Sequence, residues 1–258
     1  MGQTAALAFK TKSMIKLFRH IRYDLMEKNK TGKYLLYAIG EIALVVIGIL
    51  VALQINNWNE ESKSNELLGK YETNIIAELK TDLLRLAELD SIHKTWEISL
   101  RNYIAYYNTE KPDMNILKSK RDSSKTGLTT LFNTSAYSIQ DLISTGNLKL
   151  FPTHKKNAIL KYKNILERNL FIEQKSGETV IALWEEFEKE NDLLFTYNYS
   201  KKAHSAIKNW QYDLNSPQLK LWNNVVAKFL NLYEYQIQLN EQVRKEAKEL
   251  IKVLEKNS

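Results

Sequence analysis

The chain contains no cysteine among its 258 residues, and only 3 Pro and 8 Gly. Without cysteine there is no disulfide, no thiolate metal site and no Cys nucleophile. Scarcity of the two residues that punctuate the backbone argues against a many-turned sheet protein and for long helices. The composition is otherwise that of a folded protein, with 44% hydrophobic and 26% charged residues. Its 14 Tyr, 8 Phe and 5 Trp supply apolar mass for a core.

The formal net charge of +7 invites a nucleic-acid reading, but its distribution argues otherwise. Residues 1–33 carry eight Lys and Arg (Lys10, Lys12, Lys16, Arg19, Arg22, Lys28, Lys30, Lys33) against Asp24 and Glu27. Residues 59–258 are close to balanced, with 29 basic and 27 acidic side chains. The excess therefore lies beside the apolar run YLLYAIGEIALVVIGILVALQI at 34–55 and reads as a topology signal, with no nucleic-acid partner.

That run is apolar apart from Glu41 and Gln54, with Tyr34 and Tyr37 at one end and Trp58 beyond the other. About 20 such residues cross a bilayer, and aromatic residues favour its two interfaces. The basic side is expected in the cytoplasm. The basic and apolar stretches are both too long for a cleaved signal peptide, so an uncleaved signal-anchor is expected. The organisation read from these features is a cytoplasmic tail at 1–33, a transmembrane helix at 34–56 and an exported domain at 57–258.

Glu41, Gly48 and Ala52 fall on one helical face, and Gly48-x-x-x-Ala52 is a small-xxx-small pair. Two readings stand: a span association face with an acid in it, or an acid that snorkels or takes a proton beside an incidental Gly48. In the tail, Met14, Leu17, Phe18, Ile21 and Leu25 make one apolar stripe at helical spacing. With Lys16, Arg19 and Arg22 around it, this segment is expected on the membrane surface. Docking to a cytoplasmic partner is its alternative. Residues 1–13 differ in character, and Met14 is an alternative start.

The exported domain is expected to be all-α, an elongated antiparallel helical bundle. A long helix over 68–107 follows the stripe Leu68, Tyr71, Ile75, Leu79, Leu83, Leu86, Leu89, Trp96, Leu100, Tyr103, Tyr107. Residues 108–127 read as a polar loop with a short helical turn. A helix over about 128–145 is expected to close on Gly146 as C-cap. A long helix should follow Pro152 and run to about 196, through Ile159, Tyr162, Leu166, Leu170, Val180, Trp184, Phe187 and Leu194. Ser216-Pro217 signals the start of a last helix. Its heptads run Leu219, Trp222, Val226, Phe229, Tyr233, Asn240, Val243, Ala247, Leu250, Leu254, the spacing of bundle or coiled-coil packing.

The stretch from Lys33 to Glu61, preceded by the basic MIKLFRHIR segment from Met14, resembles the opening of an uncharacterised family of Bacteroidota membrane proteins, domain of unknown function 6090. Ser135-Ala136-Tyr137 and Leu142-Ile143-Ser144-Thr145-Gly146-Asn147-Leu148 resemble its central motif. The resemblance implies a Gram-negative inner-membrane anchor with a periplasmic helical domain, and a start matching Met14. It implies no activity.

Motifs for chemistry are missing. His20, His93, His154 and His204 form no HExxH or ExxH pattern. Asp90-x-x-His93 needs further ligands to hold a metal, and Glu185, Glu186, Glu188 and Glu190 read as a solvated helix face. No cofactor is expected. Tyr137, Gln140, Ser144 and Gly146 mark either a pocket or a helix-docking segment. Two functions are weighed: a binding, scaffold or sensor-like module with an envelope protein or a second copy as partner, or an envelope enzyme with a site that no motif reveals.

Overall fold

The computed structural model describes residues 31–127, 131–197, 199–202 and 209–256. The tail stripe Met14, Leu17, Phe18, Ile21 and Leu25 lies outside them, as do the side chains of Tyr34 and Tyr37. The described residues are helical, without a strand. The helices are α1 (Thr31–Tyr107), α2 (Met114–Ser123), α3 (Tyr137–Ser144), α4 (Thr153–Lys189), α5 (Leu193–Thr196) and α6 (Pro217–Glu255). Two 3-10 turns lie at Asn147–Leu150 and Trp210–Tyr212. The chain divides into two compact units between Glu66 and Leu67.

In the first unit, α1 is long and apolar enough to cross a membrane. None of its most apolar stretch is buried. Leu44, Ile47, Leu50, Leu53 and Ile55 are all exposed, and a Cβ added at Gly40 or Gly48 would meet nothing within 4 Å.

The second unit buries two apolar clusters. One gathers Ile75, Leu79, Leu86 and Leu89 of α1, Ile139 and Leu142 of α3, Ile159, Tyr162 and Leu166 of α4, and Val243, Ala247, Leu250 and Leu254 of α6. The other gathers Leu100 and Tyr103 of α1, Leu117 of α2, Val180 and Phe187 of α4, Trp210, and Leu219 to Tyr233 of α6. All ten heptad positions named for the last helix are buried. Helices α4 and α6 pack together through pairs such as Lys161–Glu246, 2.7 Å, and Asn169 Nδ2 donating to Leu239 O, 3.0 Å.

Local signals explain most boundaries. Ser216 caps α6 by accepting from Leu219 N–H, with Pro217 in the first turn. Gly146 closes the turn after α3 with φ +72°, a left-handed conformation that glycine adopts without strain. Asp113 caps α2 by accepting from Asn115 and Ile116 N–H, so a ten-residue helix stands where the sequence suggested one turn.

Two expectations are corrected. Of the helix expected over 128–145, the described residues 131–136 are not helical and Tyr137–Ser144 are, because Phe132 and Ser135 give their backbone donors to distant carboxylates. The helix expected to run to 196 stops at Lys189, and Asp192 caps a new turn by accepting from Leu194 and Phe195 N–H. That break leaves Leu194 exposed at 62%, outside the stripe to which its spacing assigned it.

Candidate functional site

The distinctive construction lies in two non-helical stretches between α2 and α3, residues 124–127 and 131–136. A segment without its own ladder must find acceptors elsewhere. Here the long helices supply them. Lys125 N–H donates to Ser99 Oγ of α1, 3.0 Å. Gly127 N–H donates to the Tyr233 hydroxyl of α6, 3.1 Å. Phe132 N–H donates to Glu173 Oε1 of α4, 3.3 Å. Thr134 Oγ1 and Ser135 N–H donate to the two oxygens of Asp82, at 2.6 and 2.7 Å.

The N-terminus of α3 is held by the same device. Its N-cap position, Ala136, offers no side-chain acceptor. Glu78 of α1 replaces it, accepting from Ser138 N–H at 3.0 Å and from Ser138 Oγ at 2.7 Å. A carboxylate at a helix N-terminus is favourable both as acceptor and as charge. At the other end, Tyr71 OH donates to Asp141 Oδ2, 2.6 Å, and accepts from Asn147 Nδ2, 3.1 Å. Ala136, Ile139 and Leu142 face inward.

Tyr137, Gln140 and Ser144 are exposed, Tyr137 at 71%. Their spacings of three and four put them on one ridge, opposite the docked face. None lines a described cavity. Gly146 shapes the turn that follows. In the first unit, Glu41 is half-buried, and Gly48 and Ala52 are exposed on the apolar helix.

Along α1, α4 and α6, the stretches between the two apolar clusters carry buried and half-buried polar side chains. Glu173 Oε1 accepts from Gln236 Nε2, 2.9 Å, as well as from Phe132. Burial pushes the Glu173 carboxyl above the ordinary carboxylate range, against the two donors. Asp90 accepts from Asn240 Nδ2, 2.8 Å, and pairs with Arg244. His93 is fully buried and stacks on Tyr233, with ring centroids 5.7 Å apart. Asp90 and His93 are thus committed to separate partners on α6. No group of three or more metal-ligating side chains occurs among the described residues.

Of the acidic cluster on α4, Glu185, Glu186 and Glu190 are exposed. Glu188 instead accepts from Trp184 Nε1, 2.7 Å, and from the Tyr197 hydroxyl, tying the turn after α4 back onto it. Sequence reasoning missed Glu78, Asp82 and Glu173. One signal was available. Asp82 is in phase with Ile75, Leu79, Leu86 and Leu89, and Glu173 with Leu166 and Val180, so each is an acid on an apolar stripe.

Among the described residues, fold and site together define an all-helical protein with one helix of membrane-crossing length and a helical unit whose carboxylates anchor its own loop. Residues 41–178 match the family of unknown function DUF6090, and the chain belongs to that family. Neither the curated proteins nor the solved structures give a match.

Proposed function

We propose that this protein is a membrane-anchored binding or scaffold module of a bacterial envelope, working through the outer ridge of α3. In this reading α1 crosses the inner membrane as a signal-anchor. The basic tail lies in the cytoplasm with its amphipathic stripe on the lipid surface, and an elongated antiparallel bundle stands in the periplasm. The charge distribution around the span supports that orientation. A Bacteroidota source fits the sequence resemblance.

The carrying observation is the mounting of α3. Ala136, Ile139 and Leu142 dock on the core, and Glu78 and Asp82 of α1 hold the entry to the helix. The side chains left facing out are a largely exposed Tyr137 with Gln140 and Ser144. A rigid ridge bearing an exposed tyrosine has little conformational entropy to lose on binding, which favours recognition. Its partner is an envelope protein or a second copy of the chain.

The test is a photo-crosslinking residue at Tyr137 in native membranes. The expected result is one adduct of defined mass, lost when Gln140 and Ser144 are both changed to Arg. Absence of an adduct, or an adduct indifferent to those changes, overturns the reading.

A further inference from the structure

A cavity of about 190 Å³ opens at the aromatic end of the helical unit, lined by Thr126, Gly127, Val180, Ile181, Trp184 and Phe229. Its walls are apolar and held. Val180 and Phe229 are buried. Trp184 packs edge-on against Phe229 and Trp222, with ring centroids 6.2 Å apart in each pair. The indole cannot swing in to fill the space without abandoning both contacts and its bond to Glu188. Ile181, 44% exposed, forms the rim.

Two polar groups at the wall are engaged, and the Thr126 side chain is the further polar one that lines it. Trp184 Nε1 donates to Glu188, and Gly127 N–H donates to Tyr233. A water bound there needs two to four polar partners, and an enclosed apolar void of about 150 Å³ takes up benzene; this cleft is of that size but open on one side. No lining residue is charged, so an ionic ligand would lose its hydration without compensation.

We propose that this cavity is a binding site for a small uncharged aromatic group, one ring in size, packed between Val180, Trp184 and Phe229. The site is separate from the α3 ridge and stands whether or not that ridge binds a partner. Two aromatic side chains, Trp184 and Phe229, already line the space, which favours an aromatic guest over a chain.

The test uses the full chain in detergent with fluorobenzene as probe, read by ¹⁹F NMR. Ile181→Trp closes the rim at an exposed position, and Val180→Ile adds one methylene to the wall. Both variants are checked for helical content by circular dichroism. The expected result is a saturable shift with the unaltered protein, weakened about tenfold or more by Ile181→Trp, roughly 1.4 kcal/mol, and measurably by Val180→Ile. An equal response from all three proteins means partition into the micelle and overturns the site, as does no response at all. Tighter binding of 1-fluorohexane than of fluorobenzene overturns the aromatic assignment.

Discussion

Glu173 shows how one buried carboxyl can govern the behaviour of its surroundings. It is 8% exposed, and burial raises its affinity for a proton in the folded chain. The folded state therefore holds the proton to a higher pH than the unfolded state does. Its contribution is most favourable below the unfolded value and is lost as pH rises through the folded one. Glu173→Gln keeps an acceptor for Phe132 N–H and removes the titration. The variant is expected to gain stability relative to the unaltered protein as pH rises above the ordinary carboxylate range towards neutrality. Urea unfolding across that rise in pH measures it, and a difference independent of pH counts against the argument. Asp82 matters as an acceptor for the loop. Asp82→Ala strands the Thr134 hydroxyl and the Ser135 N–H, and is expected to cost about 2–3 kcal/mol in the same experiment.

At the scale of elements, α3 is a short helix with borrowed supports. Eight residues make a marginal helix on their own, so its stability comes from Glu78 at one end, Tyr71–Asp141 at the other and the docked face between. Ser138→Ala removes one donor to Glu78 but leaves the backbone bond, and should cost about 1 kcal/mol. Gly146→Ala meets no steric obstacle but forces an L residue into the left-handed region, a cost of about 1–2 kcal/mol. Thermal unfolding followed at 222 nm ranks these two against Asp82→Ala, which should be the most damaging. The long helices needed none of this help to be recognised. Their apolar stripes and the Ser216-Pro217 start are local signals. The supports of α3 join residues 60 or more apart in the chain, such as Glu78 with Ser138 and Tyr71 with Asp141, and periodicity carries no record of such pairs.

For the whole molecule, the absence of cysteine becomes a tool. A single cysteine at Lys12 and another at the exposed Tyr137 position report topology without background. In cells with a permeabilised outer membrane, an impermeant maleimide is expected to label Tyr137→Cys and to reach Lys12→Cys only after the inner membrane is broken. Labelling in the reverse order would refute the proposed orientation. The association reading of the span is tested by Gly48→Ile. Open space surrounds Gly48 in one copy, so the larger side chain leaves a lone helix undisturbed and weakens only close helix–helix contact. Unchanged self-association in membranes leaves α1 as a plain tether.

Sequence by itself determined the helical class, the helix of membrane-crossing length, the family, and the buried stripe of α6, because each depends on neighbours within a few turns. Only the tertiary structure decided that residues 131–136 stay non-helical and that the ridge of Tyr137, Gln140 and Ser144 points outward. Those outcomes turn on which carboxylates lie within hydrogen-bond reach of the backbone. Burial makes an unpaired donor costly, so Glu78, Asp82 and Glu173 settle the path of a segment more than forty residues away in the chain.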